Sequence, residues 1–312
     1  MIPVVGIATG DPAGVGPEIS LKAALDPAVL AICRPVLVGD REVLAMHARA
    51  CGLSLDGVEL MERKCPFPQL GKIAPEHGRA AIDAAETAIR AALAGKLHAV
   101  VGAPHTEAAI HAAGIEFDGY PSFVARACGL PPGDGILMLC FEHQGREVRI
   151  AHVTLHASVA SALQQITRER ILKVLRAVHG ALDKPRIAVS GVNPHAGEAG
   201  AFGREEIEVV TPALEEARRS GMKVDGPIGA DTLIQREGYD AYVVMLHDQG
   251  HVAAKLLARE RVAGLTIGTP VLFSSVAHGS ALDIAGQGRA KHAAMVEAIT
   301  RLVTRRRRAV TT

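Results

Sequence analysis

The 312-residue chain contains no tryptophan, and aromatic residues make up only 3% of it. Stacking surfaces for unpaired bases are therefore scarce, which argues against a protein that binds single-stranded nucleic acid. Neither sign of charge is in excess, because 34 Lys and Arg residues against 33 Asp and Glu residues leave a formal net charge of +1. No overall field would steer this chain to nucleic acid or to an acidic membrane.

Paired cysteines and long apolar runs are also missing. The five cysteines are odd in number, and no two of them form a Cys-x-x-Cys pair. No apolar run approaches the ~18 residues that a transmembrane helix needs, and the N-terminus lacks the basic and apolar regions of a secretory signal. We therefore expect a reduced, cytoplasmic protein. The one basic run, Arg305–Arg308, is interpreted as a solvated end, with a phosphate-binding tail as the alternative.

Hydrophobic residues form 48% of the chain, which is enough for a large core, and short apolar runs alternate with helical patterns. That alternation predicts an α/β fold with mostly parallel sheets covered by helices. The predicted strands are Pro3–Thr9, Arg34–Val38, His98–Gly102, Val148–Leu155, Arg186–Val192 and Ala241–Leu246. The predicted helices are Glu76–Ala94, ended by a C′ glycine at Gly95, Ile166–Val178, and Glu205–Arg219, interrupted or bent at Pro212.

A glycine-rich corner, residues 9–18, follows the first predicted strand. Its glycines at positions 10, 14 and 16 match neither the dinucleotide-binding GxGxxG pattern nor the phosphate-binding GxxxxGK[ST] pattern. A helix should begin at the end of the corner, because Pro17 suits a first helical turn and Glu18 lies near the positive end of the helix dipole. From the pattern alone, a tight turn and a ligand-binding loop are equally good interpretations.

Three of the fourteen histidines lie at the ends of predicted strands. His156 and His247 come directly after a strand, and His195 follows a third strand after an Asn-Pro turn. Ligand sites in open α/β sheets lie outside the carboxyl ends of the strands, so three imidazoles there could hold one divalent ion. Position alone leaves a metal site and ordinary capping or core histidines equally open. The histidines predicted to lie at the surface are His47, His143 and His179.

Several sequence blocks, in one order along the chain, resemble the 4-hydroxythreonine-4-phosphate dehydrogenase family. The blocks are Gly10–Glu18, Asn193–Glu198, Ala230–Thr232 and His247–Gly250. The segment His278–Gly288 also resembles the adenosine-binding loop of isocitrate and isopropylmalate dehydrogenases, which share that family's fold. The resemblance implies two α/β domains, with residues 1–120 and 270–312 on the cofactor side and residues 121–269 carrying the metal, substrate and dimer contacts.

The resemblance also implies a divalent ion, a nicotinamide cofactor, and a homodimer with the active site at the interface. Its metal ligands would be His156, His195 and His247. By their chemistry, Glu198 and Asp248 could orient those imidazoles, or each could equally be a solvated turn residue. Three histidines suit zinc best, with cobalt, nickel, manganese and magnesium as alternatives.

Further site residues are implied by position in the family's motifs. For the cofactor they are Gly279, Asp283 and Ala285. Asp283 as an acceptor for a ribose hydroxyl would favour NAD over NADP, because a carboxylate repels a 2′-phosphate. For catalysis they are Lys255, which would contact the substrate carboxylate or carry a proton, and Asp231, which would act as a base or as a carboxylate beside the metal.

Two departures separate this chain from the phosphate-handling members of the family. Those members hold their substrate with the His and Thr of a Gly-His-Thr segment. The corresponding segment of this chain is Gly119-Tyr120-Pro121-Ser122. The Asn and Arg around the phosphate correspond to Gly264 and Phe273 here. Because a phosphate dianion needs charge-assisted donors, a phosphorylated substrate is not expected.

The same departures resemble the terephthalate 1,2-cis-dihydrodiol dehydrogenase branch of the family, as do Ala103–Glu107 and Leu272–Ser275. This resemblance implies oxidative decarboxylation of a flat ring diol, 1,2-dihydroxy-3,5-cyclohexadiene-1,4-dicarboxylate, to protocatechuate. The residues implied at the substrate are His105, Tyr120, Ser122 and Phe273.

Two alternatives stay open. One is a phosphate substrate, either 4-hydroxythreonine-4-phosphate or a four-carbon acid-sugar phosphate, with Arg126 as the replacement donor. The other is a catalytically silent scaffold that keeps the dimer and the metal, against which the histidine set and the His278–Gly288 loop both argue.

Overall fold

The computed structural model describes residues 2–258 and 261–310, without the side chains of residues 305–310. The interpretation of the Arg305–Arg308 run therefore lies outside the described side chains. The chain forms two units. The first contains residues 2–132, 261–265 and 269–310, and the second contains residues 133–258 and 266–268.

Both units are α/β, as predicted. The strands of the described chain are β1 (Val4–Ala8), β2 (Arg34–Gly39), β3 (Glu59–Glu62), β4 (Ala99–Gly102), β5 (Ile136–His143), β6 (Arg146–His152), β7 (Arg186–Ser190), β8 (Lys223–Ile228), β9 (Ala241–Val244), β10 (Ala263–Ile267) and β11 (Phe273–Val276). Its helices are α1 (Gly16–Ala24), α2 (Pro27–Leu30), α3 (Arg41–Cys51), α4 (Pro75–Leu93), α5 (Glu107–Ala112), α6 (Tyr120–Ala127), α7 (Val159–Gln165), α8 (Arg168–Ala181), α9 (Thr211–Arg219), α10 (Ala230–Leu233), α11 (His247–Ala258) and α12 (Ala293–Val310).

The strand order explains why each unit has one functional edge. In the first unit the order is β3-β2-β1-β4-β11, and these neighbours all pair in parallel. In the second unit the order is β5-β6-β9-β7-β8, with β5 antiparallel to β6 and the other neighbours parallel. The carboxyl ends of the parallel strands therefore share one edge within each unit, which is where α/β folds place ligands.

Local signals in the sequence set several of these boundaries. Helix α4 ends at Leu93, and Gly95 follows in the left-handed region at φ +71°, so the predicted C′ glycine is confirmed. Pro17 lies in the first turn of α1. The predicted interruption at Pro212 is also confirmed, since a π-helical turn over Glu206–Val210 precedes α9 and Pro212 lies in the first turn of that helix.

The prediction that His47 lies at the surface is wrong. Its side chain is fully buried, because it shares the inward face of α3 with Val43, Leu44 and Ala48. Those positions recur at the three- and four-residue spacing of a helix face, and burial lowers the pKa of the imidazole. Both His143 and His179 are half-buried.

Among residues 2–258 and 261–310, no helix combines the length and the apolar character needed to cross a bilayer.

Candidate functional site

Four predicted site residues of the second unit follow the carboxyl ends of four neighbouring parallel strands. The strands, in sheet order, are β6, β9, β7 and β8. The residues that follow them are, in the same order, His156, His247, His195 and Asp231. Parallel pairing therefore delivers all four to one edge of the unit, which we call the histidine edge.

His247, the first residue of α11, has the chemistry of a metal ligand. Its Nδ1 lies 2.6 Å from Oδ1 of Asp248. Because an ionised carboxylate can only accept, Nδ1 carries a proton, so the neutral imidazole has its lone pair on Nε2, as in histidines that bind metal under carboxylate orientation. The same hydrogen bond lowers the pKa of Asp248. The ring of His156 lies 5.6 Å from that of His247, centroid to centroid.

Gln249 fixes the start of α11 to the end of β7. Its Oε1 accepts hydrogen bonds from the backbone N–H groups of Met245 and Leu246, at 2.9 and 3.0 Å. Its Nε2 donates to the carbonyl of Gly191, at 3.1 Å. The side chain thus satisfies backbone groups of two strand ends at once and sets where His247 emerges.

His195 lies in a strained turn. His195, Ala196, Glu198 and Ala199 all have positive φ angles, between +42° and +53°. Left-handed backbone costs about 1–2 kcal/mol per residue outside glycine, and such strain concentrates at functional sites. The His195 ring contacts Phe202 at a centroid distance of 6.0 Å.

The buried carboxylate of Glu206 holds this turn in place. Its Oε1 accepts from the backbone N–H groups of Val192 and Asn193, both at 2.7 Å, and its Oε2 accepts from the Asn193 side chain at 2.9 Å. A Cβ at Gly197 would lie 2.6 Å from Oε2 of Glu206, so the turn requires glycine there. Glu206 was not predicted from the sequence, because a glutamate in a helical run carries no local sign of burial.

The donor chemistry at this edge fits a divalent ion. His247 offers a free Nε2, and Nδ1 of His195 lies 3.6 Å from the carboxylate of Glu198, the second predicted orienting residue. Within the described part of the chain, no three His, Cys, Asp or Glu side chains already stand in a metal-binding arrangement. The structure thus brings His156 and His247 together and holds His195 in its own turn, and the three-histidine set stays a prediction.

The two predicted catalytic residues lie on different helices, Lys255 in the last turn of α11 and Asp231 in α10. Lys255 is two turns beyond His247, on the same helix face, and is exposed. Asp231, at the start of α10, lines a cavity of about 620 Å³ together with Asp248 and Val252. Their catalytic roles stay predictions.

Two further histidines belong to this region and were missed by the sequence analysis. His251 stacks on His247, with centroids 3.8 Å apart and an interplanar angle of 9°. His152, fully buried at the end of β6, lies 4.8 Å from His251. Burial and the neighbouring His247 lower the pKa of His251 to about 4, and burial holds that of His152 well below its usual value. The four-residue spacing from His247 to His251 was the available signal.

In the first unit, the glycine-rich corner is tied to two other loops of the corresponding edge. Asp11 is buried, donates its N–H to the carbonyl of Pro104 at 2.9 Å, and accepts from the Thr106 hydroxyl. The backbone N–H of Val15 donates to the carbonyl of Ser280 at 2.9 Å. A Cβ at Gly14 would lie 2.7 Å from that same carbonyl oxygen. The corner is therefore a tight turn that organises the loops after β4 and β11.

The predicted cofactor residues lie just beyond this junction. Gly279 and Asp283 are exposed, and Ala285 is half-buried. A Cβ at Gly279 would meet no atom within 4 Å, which leaves open space beside the backbone. An open backbone and an exposed carboxylate fit a ribose and base, and this assignment stays a prediction. Glu18 anchors the chain just after the His278–Gly288 loop. Its carboxylate accepts hydrogen bonds from Lys22 and from the backbone N–H of Ala290, both at 2.7 Å.

Most of the predicted substrate residues are part of one aromatic cluster. The cluster consists of His105, Phe117, Tyr120, Phe123 and Phe273. His105 contacts Phe117 and Tyr120, each at 4.7 Å, and Tyr120 contacts Phe273 at 4.9 Å.

Burial differs across the aromatic cluster. Phe273 is completely buried and Tyr120 nearly so, while His105 is half-buried. The Tyr120 hydroxyl donates to the carbonyl of Ala103 at 3.1 Å, and burial raises the pKa of the phenol. Ser122, at the edge of the cluster, donates to Asp118. Because the side chain of Phe273 is completely buried, it is covered by its neighbours, and its predicted substrate contact stays a prediction.

Known proteins that are similar to this chain belong to the family that the sequence motifs resemble. A family model described as pyridoxal phosphate biosynthetic protein PdxA matches residues 31–302. The 1,2-dihydroxy-3,5-cyclohexadiene-1,4-dicarboxylate dehydrogenase of a Comamonas species is 40% identical over 307 residues, which cover 96% of each chain. A crystal structure of 4-hydroxythreonine-4-phosphate dehydrogenase from Klebsiella pneumoniae is similar with a TM-score of 0.83 and 30% identity, covering 98% of each chain.

A more distant structure is similar in fold alone. The isocitrate dehydrogenase of Methylococcus capsulatus has a TM-score of 0.53 at 15% identity, and the match covers 97% of this chain and 85% of that one. The predicted isocitrate dehydrogenase-like fold is thereby confirmed.

Proposed function

Because the chain belongs to the PdxA family, we propose that it is a metal-dependent, NAD-linked dehydrogenase that decarboxylates a ring cis-dihydrodiol carboxylate as it oxidises it. Its relatives are dehydrogenases, and the chain is an oxidoreductase that acts on a CH–OH group. The proposed substrate is 1,2-dihydroxy-3,5-cyclohexadiene-1,4-dicarboxylate, the compound in the name of the Comamonas relative, and the proposed product is protocatechuate.

The observation that carries this proposal is the aromatic cluster. At the position where phosphate-handling members of the family are expected to have an arginine, this chain has Phe273, buried against Tyr120. At the position where those members are expected to have an asparagine, this chain has Gly264, a buried strand residue without a side chain. Neither position therefore supplies a charged donor for a phosphate, which favours a flat, unphosphorylated ring, since burying an unpaired phosphate there would cost several kcal/mol.

The replacement donor that a phosphate substrate would need is already engaged. The guanidinium of Arg126 donates to Asp118 at 3.1 Å and to the carbonyl of Glu116 at 3.2 Å. It also lies 3.8 Å from the Glu116 carboxylate. Two neighbouring carboxylates thus oppose the approach of a third anion to Arg126, which favours the ring diol over the phosphate.

The proposed reaction balances as two steps. The C–H of the secondary alcohol leaves as hydride and its O–H proton leaves to a base, which forms a ketone next to the carbon that bears a carboxylate. The bond to that carboxylate then breaks, carbon dioxide leaves, and the electron pair passes to the ketone oxygen, which takes up a proton. The product ring is aromatic, so the second step is hard to reverse.

The residues of this chain would bind and orient the substrate. Lys255, on the helix face that begins with His247, supplies an ammonium group for a substrate carboxylate. Asp231 would take the alcohol proton. His156, His195 and His247 would hold a divalent ion, zinc first among the candidates, which would supply Lewis-acid chemistry at the alcohol and the ketone. Gly279, Asp283 and Ala285 would hold NAD, with NADP as the alternative, which would supply the hydride acceptor.

The proposal includes a cytoplasmic homodimer with the active site at its interface. An exposed apolar strip on α11 supports it: the side chains of Val252, Leu256 and Leu257 are 52%, 75% and 37% exposed. All three line the cavity that contains Asp231. A second copy of the chain would cover this strip. Sedimentation of the Leu256→Glu variant as a monomer, where the unchanged protein sediments as a dimer, would support this.

The test of the proposed function is nicotinamide reduction by the metal-loaded protein, followed by absorbance. The ring diol and 4-hydroxythreonine-4-phosphate are offered in parallel, to the unchanged protein, to His195→Ala and to His179→Ala. The last variant is the control, because His179 lies in the last turn of α8, away from the histidine edge.

Turnover of the diol alone, abolished by a chelator and by His195→Ala but kept by His179→Ala, is the expected result. Turnover of the phosphate alone would contradict the interpretation of Phe273. Absence of turnover with both substrates would refute the substrate assignment, and absence of cofactor binding by calorimetry would favour the silent scaffold.

A further inference from the structure

We propose that His251 is a positioning residue: its ring fixes the orientation of His247 by stacking on it, and His152 supports it from below. The proposal rests on the metal-binding role proposed for His247. It concerns four imidazoles, His152, His251, His247 and His156, which we call the imidazole stack.

The contact between His251 and His247 is close and nearly parallel. The two ring centroids are 3.8 Å apart, and the planes differ by 9°. One helical turn separates the two residues on α11, so their side chains emerge on the same face. A ring packed flat against another restricts rotation about the bond that joins the imidazole to Cβ, and that rotation decides where Nε2 of His247 points.

His251 is itself held on both sides. Its Nδ1 lies 3.1 Å from the backbone carbonyl of His247 and must donate to it, because a carbonyl oxygen only accepts. The ring of His251 also contacts the ring of His152, with the two centroids 4.8 Å apart, and His152 is completely buried. A stacking partner that is fixed by a hydrogen bond and by a buried ring can impose an orientation on His247.

His152 is in turn fixed against α11. A Cβ at Gly250 would lie 2.3 Å from Nε2 of His152 and 2.8 Å from its Cε1, so the ring occupies the space that any other residue at position 250 would need. The glycine of the His-Asp-Gln-Gly block therefore has a physical reason, which is to admit His152 beneath the helix.

Two anchors thus act on His247. The carboxylate of Asp248 selects its tautomer through the bond to Nδ1, and the ring of His251 selects its plane. Both are needed to aim a lone pair at an ion that is shared with His156, whose ring centroid is 5.6 Å from that of His247. Residues that orient a ligand in this way typically change metal affinity 10–100-fold when they are removed.

The test compares His251→Leu with His251→Phe in the full-length protein. Leucine removes the flat ring, and phenylalanine keeps the ring but removes both nitrogens. Cobalt(II) is titrated into each protein, and the visible spectrum reports both the dissociation constant and the coordination of the ion. Thermal unfolding of each metal-free variant shows whether it is folded.

We expect His251→Leu to raise the cobalt dissociation constant by about 10–100-fold and to alter the spectrum. We expect His251→Phe to bind cobalt within about threefold of the unchanged protein, because stacking alone is required. Equal loss in both variants would overturn the proposal, since a nitrogen of His251 would then be the group that matters. Equal retention in both would also overturn it.

A second readout needs no metal, and it separates failure of this proposal from failure of the proposed function. In the metal-free protein, nuclear Overhauser effects between the ring protons of His247 and His156 report the orientation of His247. We expect them to persist in His251→Phe and to vanish in His251→Leu. If the unchanged protein binds no cobalt, the metal role fails, and these signals alone decide the positioning role: their persistence in His251→Leu refutes it.

Discussion

The histidine edge of the second unit and the aromatic cluster of the first unit are built in opposite ways. Side chains of the histidine edge are partly exposed, such as His195 at 65% and His247 at 31%. Those of the aromatic cluster are mostly buried, with Phe273 at 0% and Tyr120 at 5%. The first region can lose a side chain at little cost to folding, whereas the second is part of a core. Mutations can therefore test the proposed chemistry of the histidine edge separately from the proposed shape selection by the aromatic cluster.

The two regions also differ in what holds them. Two polar side chains beneath the histidine edge, the half-buried Gln249 and the buried Glu206, satisfy backbone groups of the turns that present the imidazoles. Ring-to-ring packing holds the aromatic cluster, with the Tyr120 hydroxyl as its polar contact. Hydrogen bonds specify direction, whereas apolar packing specifies shape, which matches the roles proposed for the two regions.

The largest expected effect is on activity, in His247→Ala. We expect the rate of diol oxidation to fall by more than about 100-fold, because removing a ligand should exceed the effect of removing an orienting residue. We expect the free energy of unfolding of the metal-free protein to change by less than about 1 kcal/mol. Urea unfolding beside the rate assay checks both, with His179→Ala as the control. A stability loss of several kcal/mol would break the contrast between the regions.

The next effect is on stability, in Phe273→Ala. Truncating this completely buried ring should lower the free energy of unfolding by about 3–5 kcal/mol. Phe67→Ala is the matched control, because that ring is 61% exposed and its loss should change stability by no more than about 0.5 kcal/mol. Equal stabilities of the two variants in urea would show that the aromatic cluster is not part of a packed core.

A smaller loss is expected for Glu206→Ala, which tests whether the histidine edge has its own buried support. The substitution leaves the N–H groups of Val192 and Asn193 without their acceptor, at a cost of about 1–3 kcal/mol. Glu208→Ala is the control, since that exposed carboxylate pairs with Arg204 and should contribute about 0.5 kcal/mol at most. An unchanged unfolding midpoint for Glu206→Ala would contradict this account of the turn.

The smallest effect is that of Tyr120→Phe, and it depends on pH. Loss of the hydrogen bond to Ala103 should cost about 1 kcal/mol at neutral pH. Because burial raises the pKa of Tyr120, the unfolded chain releases the phenolic proton first as pH rises above the usual value of 10.0, and the unchanged protein loses stability there. At pH 11 the unchanged protein should have lost about 1.4 kcal/mol of unfolding free energy relative to Tyr120→Phe. The difference in stability between the two proteins should therefore vanish or reverse. A constant difference between pH 8 and pH 11 would show that the phenol is not buried.

Sequence patterns predicted the elements with strong local signals. The six predicted strands form, and the C′ glycine and the interruption at Pro212 were located correctly. Strand β8 was missed because its Lys-Val-Asp-Gly-Pro-Ile sequence has turn residues inside a strand. Strand β5 was missed because its apolar run, Ile-Leu-Met-Leu-Cys-Phe, fits a buried helix as well as a strand.

The residues of the candidate site also divide into those that local sequence patterns identify and those that they do not. Residues that directly follow predicted strands, such as His156 and His247, could be placed at one edge, because parallel strands present their carboxyl ends together. His152 and Glu206 could not be identified, since their roles come from contacts with residues distant in the sequence or from burial that local composition does not reveal. The four-residue spacing from His247 could have identified His251, but not its contact with His152. His47 was misplaced for the second of these reasons.

By itself, the sequence determined the α/β class, the edge at which the histidines emerge, and the family, because periodicity, turn residues and motif order are local properties. Tertiary structure alone decided that Phe273 and Tyr120 are core residues and that His251 lies flat on His247. Burial and ring geometry depend on which distant segments pack together, and that information is spread over the whole chain.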